Sequence, residues 1–182
     1  MFALYFIGHS QGKWMVDKGH AKLSFSIIHL AISEVDGGFK KFEASITASR
    51  EDFSDAVFEL TAEVASLSTD NQMRDNDLMK PNNFDVAQFP TMIYKSTGIR
   101  KTGEKTYQLI GNLTLKGTTK PVTLELIHLG STTNRQGKKL AGFKVNGTIK
   151  RTDFGVGTMP ALVAAEEVSL RASGEFVLEE AK

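Results

Sequence analysis

Apolar and polar residues alternate with a period of two along most of the chain beyond Lys13. In residues 21–29, for example, Leu23, Phe25 and Ile27 alternate with mostly polar neighbours. This period places successive side chains on opposite faces of a strand, so each such segment predicts a β-strand with one buried face. With a strand near residues 91–99, the pattern predicts about eight long strands; the other segments are residues 42–48, 56–64, 107–115, 122–128, 143–149 and 168–176.

Glycine-containing pairs separate many of these segments. Asp36-Gly37-Gly38, Thr102-Gly103, Lys116-Gly117 and Gln136-Gly137 are typical of tight turns. Short connections favour antiparallel hairpins over alternating strand and helix units. The expected arrangement is an antiparallel all-β fold.

Two stretches break the alternation. Ser68-Thr69-Asp70 offers a helix cap and Pro81 would end a helix, so residues 71–80 predict a short helix. Residues 153–160 are too rich in glycine for a strand and too apolar for an ordinary solvated loop. They are expected to connect the last two strands.

The 182 residues suit one domain, assigned here to residues 13–182, with 41% hydrophobic and 24% charged residues. Residues 1–12 form an apolar amino-terminal segment with two interpretations. Gly8 and Ser10 fit the small-x-small rule of a signal-peptide remnant, which would indicate an exported protein. The alternative is an amino-terminal strand docked on the domain.

Composition also excludes several classes of function. The net charge of +1 gives little drive for sequence-independent binding of nucleic acid. The absence of cysteine excludes disulfides and thiolate chemistry. No apolar run reaches the roughly 18 residues of an integral membrane span.

About eight strands with one apolar face either stack as two sheets or close into a barrel, and closure removes exposed strand edges. Small residues share the inward faces with several phenylalanines. They either interlock with large neighbours or leave an elongated apolar space, which would hold an apolar tail. These small residues are Ala44, Ala62, Gly111, Gly147, Ala172 and Gly174.

Several motifs, in this order, resemble those of the YceI-like family. They are Trp14-Met15-Val16-Asp17-x-x-His20, Phe25-x-x-x-His29 with Val35-Asp36-Gly37-Gly38-Phe39, Asn83-Phe84-Asp85 with Phe89-Pro90, residues 113–122 and Arg151-x-Asp153-Phe154-Gly155-Val156-Gly157. The chain departs from the family at Ala21, where members often have serine, and at the second glycine of Gly37-Gly38.

The resemblance implies an extended, eight-stranded, lipocalin-like antiparallel barrel with one short helix near one end. It also implies binding of a polyisoprenoid or other long amphiphilic lipid in the lumen, and a periplasmic or secreted location, with a cytoplasmic location as the open alternative. No cofactor is expected beyond a bound isoprenoid or quinone-type lipid.

Strand phase predicts which side chains line the lumen. The predicted lining comprises Phe25, Ile27, His29, Phe42, Phe58, Leu60, Tyr94, Leu109, Leu113, Leu124, Leu126, Phe143, Ile149, Leu170 and Phe176. Arg74, Arg151 and Met159 are candidates for the rim and the lipid head group. The helix at residues 73–78 and the loop at 153–163 are expected to frame the ends of the lumen.

Each polar candidate has a second interpretation. His29 either bonds a head group or is a buried imidazole paired with a backbone carbonyl. Arg74 with Asp75, and Arg151 with Asp153, form either local ion pairs or head-group contacts. His128, near a strand end, is expected to be exposed. The four histidines lack metal-ligand spacing, so no metal site is predicted.

No catalytic motif is present, and no catalytic residue is assigned. The predicted function is non-enzymatic binding, storage or transport of a long-chain lipid, with transient membrane contact. Monomer and homodimer both remain open. The alternatives are an enzyme acting on a small apolar or lipid substrate, and a filled structural barrel that binds a protein partner.

Overall fold

A computed structural model describes residues 11–179, which contain ten strands, one α-helix and two short 3₁₀ helices. The strands are β1 (Gly12–His29), β2 (Ser33–Phe39), β3 (Phe42–Ala48), β4 (Val57–Glu63), β5 (Leu67–Ser68), β6 (Thr91–Lys101), β7 (Thr106–Leu115), β8 (Thr118–Thr133), β9 (Lys139–Lys150) and β10 (Ala164–Leu178). The helix α1 spans Gln72–Leu78, and the 3₁₀ helices span Val64–Ser66 and Arg151–Phe154.

The strands close into an eight-stranded antiparallel barrel. β2 and β3 pair with successive halves of β1 and together form one wall strand, while β5 continues β4. β10 pairs with β1 along most of its length and closes the barrel. The predicted fold, an eight-stranded lipocalin-like barrel with one short helix, is confirmed.

Three of the four predicted glycine-containing turns lie between paired strands, at residues 102–103, 116–117 and 136–137. Lys116 and Gly117 both have positive φ angles (48° and 72°), as a two-residue hairpin turn with right-handed strand twist requires. Asp36-Gly37-Gly38, in contrast, lies inside β2 and is not a turn. A side-chain carbon on Gly37 would lie 2.4 Å from the Phe25 ring. That glycine therefore makes room for an aromatic side chain.

Helix α1 is capped by Asn71 rather than by the three preceding residues. The Asn71 side-chain oxygen accepts a hydrogen bond from the Arg74 backbone N–H at 3.0 Å. The helix ends at Leu78, three residues before Pro81. The prediction of a short helix before Pro81 was thus correct, and the position of its cap was wrong.

One end of the barrel is closed by Phe53, which lies in the loop between β3 and β4. Its ring is 2% exposed and packs within 5.3 Å of Trp14 and 4.9 Å of both His128 and Phe143, between ring centroids. The Tyr107 hydroxyl donates to the backbone carbonyl of Asp52 and fixes this loop. The aromatic cluster forms the floor of the space above it.

The amino-terminal segment was interpreted as a signal-peptide remnant or as a docked strand. Both interpretations concern mainly residues 1–10, which lie outside the described residues. From Gln11 to Glu179, no helix combines the length and apolar character needed to cross a bilayer.

Candidate ligand-binding cavity

The barrel encloses an apolar cavity of about 830 Å³ above the aromatic floor. Phe58, Phe143 and Phe176 line its lower part, and inward-facing residues of β1 to β4 and of β6 to β10 form its walls. Polar residues enter the lining mainly where α1 and the segment after β9 meet it. A cavity of this size and lining accommodates a largely apolar molecule with a polar end.

The structure places 17 of the 18 candidate lumen and rim residues around this cavity. The exception is Leu126, which is fully buried at the floor, in register with Tyr107 and Val145, and does not line the space. Its strand phase was correct, but phase gives no position along the barrel axis. That the other residues contact a ligand stays a prediction.

Of the six small inward residues, three line open space and three are packed against large neighbours. Ala44, Ala172 and Gly174 line the cavity. Ala62 is completely buried and is not part of the lining. A side-chain carbon on Gly111 would lie 2.6 Å from the Tyr94 phenol, and one on Gly147 would lie 2.3 Å from a Leu124 methyl. Those glycines interlock with large neighbours, so three of the six leave open space.

Helix α1 and the segment after β9 lie at the same end of the barrel, not at opposite ends as predicted. The Lys116 ammonium donates to the carbonyl oxygens of Pro81 and Gly155, both at 2.8 Å. The Gly157 backbone N–H donates to the Asn82 carbonyl at 3.1 Å. Both segments therefore frame one mouth, and Phe53 closes the other end.

Arg151 organises the segment that forms one side of this mouth. Its buried guanidinium donates five hydrogen bonds of 2.7–3.0 Å, all to backbone carbonyls. The acceptors are Val156, Gly157, Met159, Ala164 and Ala165. All five N–H groups of an arginine are then used. Neither the predicted ion pair with Asp153 nor a head-group contact fits this geometry.

Arg74 uses only some of its hydrogen-bond donors. Its Nε donates to the Thr69 hydroxyl at 2.7 Å and its Nη2 to the Thr69 carbonyl at 2.8 Å. Asp75 instead accepts from the Thr69 backbone N–H and hydroxyl at 2.8 and 2.6 Å. The predicted Arg74–Asp75 ion pair is therefore wrong, since both residues are tied to Thr69. Arg74 lines the mouth, and its Nη1 bonds no described residue.

His29 and Tyr94 differ in how their polar atoms are used. The Tyr94 hydroxyl donates to the Leu109 carbonyl at 3.3 Å, and burial raises its pKa far above the ordinary value of 10. The phenol therefore stays protonated at neutral pH. The half-buried His29 ring lines the cavity and makes no hydrogen bond with a residue between 11 and 179. The predicted pairing of this ring with a backbone carbonyl is not present there.

His128 is partly buried against the aromatic floor, where an exposed side chain was predicted. Its ring stacks on Phe143 with centroids 5.1 Å apart, and its Nε2 lies 3.0 Å from the Ser131 hydroxyl. Burial, which disfavours the charged ring, lowers the pKa of His128. A bulge at Leu129 shifts the register there, so strand phase alone did not give its environment.

A cluster of metal-ligand residue types lies outside the cavity. β1 bulges over residues 17–20 opposite Glu175, and this brings Asp17, His20 and Glu175 together on the surface, with one ligand atom of each within 4.8 Å of the others. Asp17 and His20 are already hydrogen bonded at 2.9 Å, which raises the pKa of His20 and lowers that of Asp17. The His20 ring therefore has a hydrogen-bond partner on its own strand.

Several lining residues were not predicted because they lie in irregular segments or at strand ends. Phe39, Phe84 and Val156 are examples, and they cover the cavity from β2, the loop after α1 and the segment after β9. Strand periodicity carries no information there. Their apolar character within three residues of a glycine or proline was the available signal.

Comparison with known proteins agrees with the motif pattern. A family model described as the YceI-like domain matches residues 14–176. The protein named YceI from Salmonella newport is 36% identical over 167 residues, which covers 91% of this chain and 86% of that protein.

Solved structures give the same result for the fold. The YceI protein of Campylobacter jejuni superposes with a TM-score of 0.77 at 30% identity, covering 84% of this chain and 90% of that one. Burkholderia cenocepacia BcnA gives 0.80 at 24% identity, with 88% and 98% coverage. A polyisoprenoid-binding domain from Saccharophagus degradans gives 0.66 at 12% identity, with 92% and 98% coverage, and shares the fold alone.

Proposed function

Because this chain belongs to the YceI-like family, we propose that it binds one long-chain isoprenoid or similar amphiphilic lipid in its barrel and stores or carries it. The observation that supports this most directly is the 830 Å³ cavity, which is apolar along its walls and open at one mouth. The shared fold of a polyisoprenoid-binding domain supports the same ligand class.

The cavity volume sets the length of tail that fits. At roughly 30 Å³ for each water-sized group, 830 Å³ holds about 28 carbon atoms. That corresponds to between five and six isoprene units. Each unit of five carbons gains on the order of 3–4 kcal/mol on leaving water, before ordering costs. A few buried units are sufficient for tight retention, and a longer tail extends through the mouth.

His29 and Arg74 are the groups we assign to the lipid head. Both line the mouth, and both keep hydrogen-bonding capacity that no described residue uses. An imidazole N–H beside the Arg74 guanidinium suits a quinone carbonyl or a phosphate, since either offers oxygen acceptors. Arg151, whose donors are all used, holds the mouth in shape instead.

An enzymatic role has less support. Catalysis in the cavity would require a titratable group with a pKa near neutrality beside the substrate. Tyr94 stays protonated and is bonded to Leu109. Tyr94 therefore does not serve His29 as a second catalytic group. We also propose, from the family resemblance, that the protein acts in the periplasm or after secretion.

Organic extraction of the purified protein, followed by mass spectrometry, tests the proposal. The expected result is one long-chain lipid per chain, or stoichiometric uptake of an added prenyl lipid by protein that was purified empty. A clean extract together with no uptake of prenyl alcohols, prenyl phosphates or quinones would favour a barrel with another role.

A further inference from the structure

The three most exposed large apolar side chains within residues 11–179 all lie at the cavity mouth. They are Ile32, Met73 and Leu162, which are 86%, 83% and 84% exposed. Ile32 lies in the turn after β1, and its backbone N–H donates to the His29 carbonyl at 3.2 Å. Such exposure costs free energy in water, because each side chain keeps its apolar surface hydrated.

Two loops bring these residues next to one another. The Leu30 backbone N–H donates to the Val163 carbonyl at 3.0 Å, which joins the β1–β2 turn to the segment before β10. Met159, on that segment, and Met73, on α1, both line the cavity and are both exposed. We call Leu30, Ile32, Met73, Met159 and Leu162 the apolar rim.

The two loops are also free of charge. Residues 28–33 and 154–165 contain no Asp, Glu, Lys or Arg, although such residues make up 24% of the chain. The basic residue next to the second loop, Arg151, is buried and fully hydrogen bonded. The two loops therefore offer an apolar surface and not a basic one, whereas the helix that carries Met73 also carries Arg74 at the mouth.

We propose that the apolar rim inserts into the interface of a lipid bilayer and places the mouth against it. This inference rests on the proposed lipid binding, because it explains how an insoluble ligand enters. The rim continues the apolar lining of the cavity outward, so a tail passes from the bilayer to the barrel without crossing water. A second copy seated mouth to mouth would block that path.

Because the rim is uncharged, docking differs from electrostatic adsorption. Binding to vesicles of phosphatidylcholine alone is expected, with little change as salt rises to about 0.5 M, where charge interactions are strongly screened. Basic surface patches, in contrast, require anionic lipids and lose affinity in salt.

Vesicle sedimentation with phosphatidylcholine vesicles tests this with the full chain. The double variant Ile32→Gln with Leu162→Gln should bind at least about tenfold more weakly, since two apolar side chains no longer gain by burial. Neither residue lines the cavity. Uptake of a prenyl alcohol delivered from detergent, without vesicles, should therefore be unchanged. The matched control is Leu129→Gln with Ile110→Gln, two exposed positions away from the mouth (58% and 39%), which should bind vesicles normally.

The outcomes separate the two proposals. Equal vesicle binding by the rim variant and the wild type would overturn docking, as would a requirement for anionic lipid. A wild-type dimer that the rim variant loses, without vesicle binding by either, would identify a second copy as the partner and also overturn it. Rim-dependent vesicle binding without prenyl uptake in solution would support docking and contradict the proposed lipid cargo.

Discussion

Filling the cavity from its wall should reduce the binding of long tails and leave the fold intact. Ala44, on β3, lines the cavity and is only partly buried, so a larger side chain can project into open space. Ala44→Phe adds six carbon atoms, which occupy at most roughly 180 Å³ at a water's share of volume. This is about a fifth of the 830 Å³ present.

The added ring displaces approximately one isoprene unit of tail. Losing the burial of five carbons costs on the order of 3–4 kcal/mol, or more than a hundredfold in affinity, if the tail cannot move. Because a flexible tail can shift toward the mouth, we expect at least a tenfold loss for a five-unit prenyl alcohol. A two-unit alcohol, which leaves most of the cavity empty, should bind as in the wild type.

Fluorescence displacement titrations with the two alcohols measure this difference, and thermal denaturation checks the fold. Thr123→Phe is the matched control, because Thr123 is exposed on the outer face of β8 between two inward residues. Unchanged affinity for the five-unit alcohol in a folded Ala44→Phe protein would refute the assignment of the lumen.

Three further predictions concern residues of the cavity wall, its mouth and its floor. Gly111→Ala should lower the free energy of unfolding by about 1–3 kcal/mol, since its new methyl group meets a backbone oxygen at 2.6 Å. Gly98→Ala, which has open space around it, should change that free energy by less than about 0.5 kcal/mol. Denaturant titration measures both, and equal changes in the two variants would contradict the interlocking of Gly111 with its neighbours. Arg151→Lys keeps the charge but loses hydrogen-bond donors, so it should lower the free energy of unfolding by about 3 kcal/mol or more and speed proteolysis between residues 156 and 165. An unchanged cleavage rate would contradict the role of Arg151 in holding this segment. Burial holds the pKa of His128 below its unfolded value of 6.5, so the free energy of unfolding should fall as pH drops from about 6.5 toward the folded pKa. His128→Phe lacks this titration, and its melting temperature should therefore fall less than that of the wild type between about pH 7 and 5. An equal fall in melting temperature for both proteins would contradict this.

The barrel could be predicted from sequence because strand periodicity reports directly which residues face inward. Phe25, Phe58 and Leu124 were placed on the correct face by counting alone. Counting gives no axial position, however, so Leu126 was assigned to the lumen although it belongs to the floor. It also does not distinguish an empty glycine position from a filled one, as Gly147 shows.

The mouth was harder to predict because its geometry depends on contacts between segments distant in sequence. Arg151 could be recognised as a motif residue, but its five acceptors are backbone carbonyls, which no residue pattern reports. The placement of α1 beside the segment after β9 depends on Lys116, which bonds carbonyls 35 and 39 residues away. The motifs could be recognised from sequence, whereas the roles of Arg151 and Lys116 depend on contacts that form only in the folded barrel.

Native mass spectrometry of the purified protein with a series of prenyl alcohols from two to eight isoprene units tests the central claim most directly. We predict a one-to-one complex whose affinity in solution, measured as the bound fraction, rises with each unit up to five or six and then levels off, because the 830 Å³ cavity is full. Stability that is independent of tail length, or the absence of any complex, would contradict the assignment of the cavity to a lipid tail.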